Sequence, residues 1–308
     1  MLSKEEFLIQ VRDKAKFFLE NKKIIPTPDL IWQAVMVLLC VAGLSIEGVI
    51  LSQLYDFAIV FPCIGVVLLL WFIKKVVSQQ RCVYRLKQSL IDVSLSICAF
   101  QRVRAVFKKD FLEKSKIVPE KYKLDFEFKG ESQTKQFYGA SVLTGPKDSE
   151  KHNLLLAIPY KSVNNHILIY NQNWMLKFFV SGYEKVEALF SHKMFDENMI
   201  FAKNTELVPM VLNQEFASRL DQIKQTLATE VMHLNNEAQE GDLSPKEIVS
   251  PRIDLAFFEG QLLIYVHDYA LSFDPFDMRE KSTTTAQDFA NLYERFKKLQ
   301  DTIEILTH

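Results

Sequence analysis

Apolar and polar positions change rhythm along this chain, and each change predicts a different element. Ser3–Asn21 carries Phe7, Val11, Ala15 and Phe18 on one stripe. That spacing is helical, and Pro26 and Pro28 end the helix. Two runs without any charge follow, Leu30–Ile46 and Phe57–Ile73. A spanning helix takes ~20 mostly apolar residues, with a lower bound near ~17. The first run extends to about Leu51 if Glu47 sits near the helix end, because a carboxylate at mid-bilayer is costly. Pro62 in the second run is tolerated in a membrane helix. Leu86, Leu90, Val93, Ile97 and Phe100 then form a heptad-like stripe, opposite Arg81, Arg85, Lys87 and Arg102. This amphipathic helix is expected to pack on the N-terminal one. The alternative is a dimeric coiled coil, although about two heptads stand where three or four are wanted.

From Lys121 the period shortens to two. Leu124, Phe126 and Phe128 alternate with Asp125, Glu127 and Lys129, predicting a strand with one buried face and the acids on a solvated one. Gly130-Glu131 is expected to break it, and Lys135–Leu143 to return. Gly145-Pro146-Lys147-Asp148 reads as a loop. His152–Pro159 and His166–Asn171 are expected to pair, with Asn164-Asn165 near their turn. Trp174–Val180, Val186–Ser191 and Glu197–Lys203 read as further strands. Turns this close imply antiparallel pairing, since parallel strands need a long crossover.

The helical period returns at Phe216, Leu220, Ile223, Leu227, Val231 and Leu234, followed by a polar loop over Asn235–Pro251. Ile253, Leu255 and Phe257 alternate up to Glu259-Gly260, and Gln261–Val266 returns. A two-residue turn ending in Gly suits a hairpin's twist. Lys281–Thr285 is a polar linker, with Thr285 and Asp288 marking a helix start. Phe289, Leu292, Tyr293, Phe296, Leu299, Ile303 and Leu306 then form a stripe expected to dock on the sheet. A partner-binding helix is the alternative.

Charge orients the hairpin. No Lys or Arg occurs from Ile24 to Ile73, whereas Lys74–Asp110 holds nine against Asp92 and Asp110. Met1–Asp29 holds Lys4, Arg12, Lys14, Lys16, Lys22 and Lys23. Basic flanks stay on the cytoplasmic side, so both termini are expected inside, with a small loop around Ser52–Asp56 outside. Trp32, Trp71 and Tyr55 fall where aromatic rings favour the interface. The lysine pairs Lys22-Lys23 and Lys74-Lys75 around tandem runs argue against a buried core hairpin. A first run starting at residue 30 and followed by a second does not fit a cleaved signal peptide. The basic flank also suits anionic headgroups, each residue adding ~1 kcal/mol near the surface.

Composition narrows the class further. The 37 Lys+Arg against 38 Asp+Glu give a net charge of -1, which excludes a wholesale nucleic-acid coat. A chain 48% hydrophobic and 24% charged builds a core and is not disordered. Four cysteines in 308 residues are too sparse for a disulfide scaffold. Cys40, Cys63, Cys82 and Cys98 form no C-x-x-C pair and read as packing residues.

No catalytic motif emerges, and no catalytic, cofactor-binding or metal residue is assigned. His152, His166, His192, His233, His267 and His308 lack the three-to-five spacing of a metal site. Gly-x-Gly-x-x-Gly, the phosphate-binding Gly-x-x-x-x-Gly-Lys-Ser/Thr and the nucleophile elbow at Ser181-Gly182 are absent. Asp274, Asp277 and Glu280 have ordinary loop composition. If a site assembles only in the fold, His166, His192, His267 and Asp268 are its first candidates.

Four stretches resemble a bacterial membrane-anchored family catalogued as domain of unknown function 3137. They are Phe107–Tyr122, Asn153–Tyr170, Phe195–Ile223 and Arg252–Phe276, with a hairpin before them as in that family. The resemblance covers about Lys74–Phe276 and implies architecture and a bacterial envelope setting, without an activity or cofactor. The fold class expected is α+β: an N-terminal two-helix transmembrane hairpin, then a cytoplasmic, mostly antiparallel β domain with flanking amphipathic helices. The segments are 1–29, a juxtamembrane helix; 30–73, the hairpin; 74–117, a basic helix; 118–280, the α+β domain; and 281–308, the C-terminal helix. The function expected is membrane-anchored binding or scaffolding at the inner membrane. Its partners are the lipid bilayer and a protein at the membrane, with no nucleic acid and with self-association open. The alternatives are a membrane-bound enzyme and a bacterial effector inserted in a host membrane.

Overall fold

The computed structural model describes residues 2–20, 27–52, 60–132, 135–146, 150–160, 165–171, 182–231, 247–249, 251–271 and 286–307. The chain divides into a helical unit, Ser3–Val93 with Phe273–Asn291, and a sheet unit, Met1–Leu2, Ser94–Ser272 and Leu292–His308.

In the helical unit, α1 (Lys4–Glu20) begins with a capping box. The Glu6 amide donates to Ser3 Oγ at 3.3 Å, and the Ser3 amide donates to the Glu6 carboxylate at 2.9 Å. These bonds from Ser3 hold the Glu6 carboxyl below its ordinary range. Phe7 and Val11 of the predicted stripe are buried. Helix α2 (Thr27–Ser52) runs past Glu47, so the first apolar run does extend. Helix α3 (Val60–Ser96) is one rod of 37 residues, about 55 Å long at ~1.5 Å per residue. The second apolar run and the basic stripe are therefore halves of one helix, with no break near Lys74. Pro62 falls in the first turn, where a missing N–H leaves no helical bond unmade. Gly65 faces Val41 across the pair, and Lys75 Nζ donates to Gln33 Oε1 at 2.7 Å.

The sheet unit starts where α3 stops. Ala99 adopts a left-handed φ of 57°, and the Phe100 amide donates to the Leu95 carbonyl at 2.9 Å, turning the chain out of the helix. Strand β1 (Gln101–Val103) follows within the segment expected to be helical, and α4 (Lys109–Ser115) after it. Then come β2 (Tyr122–Ser132), β3 (Lys135–Thr144), β4 (Lys151–Pro159), β5 (Ile167–Asn171) and β6 (Glu184–Val186). The chain continues with α5 (Lys193–Glu197), β7 (Asn198–Ala202), a short 3₁₀ turn at Thr205–Met210 and α6 (Gln214–Leu227). It closes with β8 (Thr229–Val231), β9 (Glu247–Val249), β10 (Ile253–Phe258), β11 (Gln261–Val266) and α7 (Ala286–Thr307). Nine strands form one antiparallel sheet in the order β1-β2-β3-β4-β11-β10-β5-β7-β6, and β8 pairs with β9 separately.

The pairing of His152–Pro159 with His166–Asn171 does not form. Strand β4 pairs with β3 and β11, and β5 pairs with β10 and β7. The reason is two-sided burial. Every residue of Ile253–Phe257 and Leu262–Val266 is buried, so the hairpin belongs inside a sheet with both faces covered. Its turn is as expected: Glu259 and Gly260 have φ of 48° and 74°, and Phe258 faces Gln261.

Strand β2 departs from its predicted alternation. Leu124 pairs with Val142 and Phe126 with Ser141, leaving Asp125 as a bulge that reverses which face follows. Leu124 packs with the cluster of Leu112, Val142 and Tyr265, while Phe126 and Phe128 point to the other face. Glu127 turns inward, 8% exposed, and accepts from the Ala105 and Phe107 amides at 2.6 and 2.8 Å. The expected solvated face for Glu127 is thus a buried strut for the loop before α4. Nor does Gly130 break the strand. Gly130 pairs with Phe137 and Phe128 with Gly139, so each ring lies over a glycine, and Phe100 stacks on Phe128 at 5.4 Å.

Segment Phe107–Val118, with α4, covers one sheet face. Helix α6 covers the other, where the Phe216 ring lies 5.4 Å from that of Phe257. Its N-cap is Asn213, whose Oδ1 accepts from the Phe216 amide at 2.8 Å. Helix α6 ends at Leu227, so Val231 of the predicted stripe belongs to β8, and β9 lies inside the expected loop. The strand expected at Val186–Ser191 is realised only as Glu184–Val186. In α7, Phe296, Leu299 and Ile303 are buried as predicted, and Tyr269 Oη donates to the Arg295 carbonyl at 2.8 Å. The expectations for Trp174–Val180, the linker Lys281–Thr285 and Leu234 lie outside the described residues.

A Cβ added at Gly139 would overlap the fully buried Phe128 ring. Gly139→Ala is expected to destabilise the protein by about 2 kcal/mol or more, read as a lower midpoint in denaturant. Phe128→Leu in that background should recover part of the loss; additive losses would show that the ring does not occupy this space.

Candidate functional site

Two features invite a functional reading: the apolar surface of the hairpin, and the polar clusters within the sheet unit. On α2, Trp32, Leu39, Ile46 and Val49 are more than half exposed, as are Val67, Leu70 and Trp71 on α3. Only 6% of the most apolar window of each helix is buried. Both helices are long and apolar enough to cross a membrane. Patches of this extent mark contact with lipid or another apolar surface. Beyond the apolar half of α3, Arg81 and Arg85 are exposed, whereas Leu86 and Leu90 opposite them are buried.

The structure does not bring the four sequence candidates together. His166 precedes β5 and lies against the Phe258 ring, at the turn end of β10. The His267 amide donates to the Arg252 carbonyl at 2.9 Å, at the other end of β10. Six residues of strand at ~3.3 Å each separate these ends by about 20 Å. His192 caps α5 on the β6–β7 side. Asp268 is not His267's partner: its amide donates to Asn153 Oδ1 at 3.1 Å, and its carboxylate pairs with Lys151 at 3.3 Å.

Each histidine has both ring nitrogens engaged. His166 Nε2 lies 3.1 Å from the Ser115 carbonyl, which can only accept, so this nitrogen carries the proton. Nδ1 then accepts from the Tyr183 hydroxyl. Burial lowers the His166 pKa to about 4, with the charges of Lys203 and Lys116 adding to the effect. Burial also raises Tyr183 to about 12, leaving it a neutral donor. Lys116 and Lys203 stand 5.0 and 5.6 Å over the Tyr183 ring. Lys116 itself has a left-handed φ of 58° at the end of α4, and its carbonyl accepts from Tyr170 Oη at 2.7 Å. His166 and Tyr170 thus fasten the end of α4 onto the sheet.

His267 sits between a cation and an anion. Nε2 donates to Asp254 Oδ2 at 2.7 Å, and Arg252 Nη2 lies against the ring, 3.2 Å from Nδ1 and 3.1 Å from Nε2. Asp254 is 1% exposed, and its other oxygen accepts from the Asn171 amide at 3.1 Å. The cluster joins β10, β11 and β5, and a buried carboxylate needs such partners. In His192, Nδ1 accepts from the Met194 amide at 3.1 Å, and Nε2 lies 3.5 Å from Asp221. All three histidines tie separate segments of the sheet unit together, His166 to Ser115, His192 to Asp221 and His267 to Asp254.

Sequence reasoning missed Asp254 and Arg252 as partners of His267. The signal was present, because the Glu259-Gly260 turn sets the register that places Arg252 beside His267 and Asp254 opposite Tyr265. No comparable signal joins His166 to Tyr183 or Ser115. Among the described residues, no group of three or more His, Cys, Asp or Glu is placed to hold a metal ion. Cys98 donates to the Phe296 carbonyl at 3.2 Å, and burial pushes its thiol up to about 12, so it is a packing residue. Cys40 and Cys63 are exposed on the apolar helices. His233, His308, Asp274, Asp277 and Glu280 lie outside the described residues.

No protein-family model matches the chain, and neither does any curated protein. The crystal structure of the mycobacterial trehalose monomycolate transport factor A aligns over 70% of this chain and 93% of that one, at 7% identity and a TM-score of 0.35. A likeness at that level carries no argument about this chain.

His166 folds with a depressed pKa, so the unfolded chain takes up its proton first as pH falls. Stability is full above about 6.5 and declines toward about 4. Thermal unfolding of the full-length protein in mild detergent should show His166→Gln flattening this decline by roughly 1–3 kcal/mol between pH 7 and 4.5. An unchanged pH profile would place the titration elsewhere.

Proposed function

We propose that the chain is a membrane-anchored binding or scaffolding protein, related to the family of domain 3137. Its hairpin would sit in the bacterial inner membrane with both termini on the cytoplasmic side. The observation that carries this reading is the exposure of the apolar helices: a core hairpin of a soluble protein would bury most of those side chains, and here 6% of each window is buried. Basic residues on both flanks and their absence between Ile24 and Ile73 support the orientation. The sheet unit supports binding rather than turnover, since His166, His192 and His267 serve as fasteners. Anchoring raises the local concentration of the sheet unit for a protein partner at the membrane.

Fractionation of cells holding the full chain tests the anchor. The protein should pellet with membranes and stay there after an alkaline carbonate wash. Leu39→Arg and Val67→Arg, near the middles of the two apolar stretches, should each oppose insertion by about 2.5–3.5 kcal/mol and release a measurable share. Protease added outside intact cells should leave tags at both ends untouched. A wild-type chain dispersed without detergent, or tags cleaved from outside, would overturn the reading.

A further inference from the structure

A cavity of about 220 Å³ lies between α6 and the sheet face it covers. Leu255 and Ile264, a cross-strand pair, lie at its floor. Phe216, Leu220 and Ile223 line it from α6, and Leu306 from α7. These side chains form an apolar wall, against which burial of a hydrocarbon tail is favourable. Polar groups are few: Tyr160, Asn213 and the pair of Glu215 with Arg219. Asn213 Oδ1 is committed to capping α6.

The polar groups favour an anionic head. Arg219 Nη2 donates to Glu215 Oε1 at 2.5 Å; the Arg219 side chain is 33% exposed, whereas Glu215 is 69% exposed and the pair spans one helical turn. Exposed pairs of this kind are weak and easily exchanged. A guest carboxylate could displace Glu215 into solvent and take the planar Arg219 fork, which matches its two oxygens. The charges of Arg219 and Glu215 both act on the Tyr160 phenol, which burial keeps protonated and able to donate. At roughly the ~30 Å³ that a water occupies, the cavity holds about seven methylene-sized groups.

We propose that this cavity binds a free medium-chain fatty acid, with its tail between α6 and the sheet and its carboxylate on Arg219 beside Tyr160. The proposal rests on the sheet unit alone and holds whether or not the hairpin enters a bilayer.

The test uses the full-length chain in phospholipid nanodiscs, an octanoic acid carrying a diazirine, illumination and peptide mass spectrometry. Label is expected on peptides of α6 or of the β10–β11 hairpin, and excess octanoic acid should remove it. Ile223→Trp and Leu306→Trp, which fill the cavity from different elements, should abolish it. Arg219→Gln should weaken binding about tenfold or more, and the methyl ester of the probe should bind the wild type as poorly. Circular dichroism and melting temperature identify the variants that remain folded, Arg219→Gln included. Label confined to α2 and α3, or undiminished in a folded filling variant, overturns the proposal. So does an ester that labels as well as the acid, or competition by phospholipid vesicles matching that by octanoic acid, which would make bilayer lipid the guest.

Discussion

The nine-stranded sheet is one piece because the β10–β11 hairpin sits in its middle. Strand β11 completes a six-residue ladder with β4, and β10 accepts β5 on its other side. Without this hairpin, β1–β4 and β5–β7 would be separate sheets with open edges. The closing ladder joins residues 154–159 to residues 261–266, so most of the sheet unit must be available before its core can close. Long loop closure of this kind slows folding. The local device that favours it is the two-residue turn, where Gly260 and Glu259 take the positive φ values that fit the strand twist.

Covering both faces of the sheet creates a second demand. Polar groups carried inward must find partners, because an unpaired buried donor or charge costs several times what a typical hydrogen bond contributes. Glu127 meets two loop amides, Asp254 meets His267 and the Asn171 amide, and His166 meets Ser115 and Tyr183. Each set ties a non-neighbouring segment to the sheet. His166 is thereby held with its proton on Nε2 and with Nδ1 accepting from Tyr183.

The helical unit obeys a different solvent rule. Along α2 and the apolar first half of α3 most large side chains face outward, and the backbone satisfies itself within each helix. That combination suits hydrocarbon surroundings, in which unpaired backbone groups are intolerable and exposed leucines cost nothing. Gly65 faces Val41 across the pair with room for a side-chain carbon between them. The rod then continues past Lys74 as an amphipathic helix, with Leu86 and Leu90 on the buried side and Arg81 and Arg85 outside. No residue between the two halves has a reason to stop it.

By itself the sequence determined what depends on neighbours a few positions away. Such features are the two apolar runs, the stripes of α1, α3, α6 and α7, the Glu259-Gly260 turn and the α+β class. Periodicities of two and 3.6 residues are set by local backbone geometry and are visible in any short window. Tertiary structure alone decided which strands pair, and so it inserted β10 and β11 between β4 and β5. It also placed the bulge at Asp125, which turned Glu127 inward and Phe126 to the opposite face, and laid Phe128 and Phe137 over Gly139 and Gly130. His166 found Tyr183 and Ser115 for the same reason. These outcomes depend on groups brought together by burial from distant parts of the chain, where the free energy of the whole core outweighs any local preference.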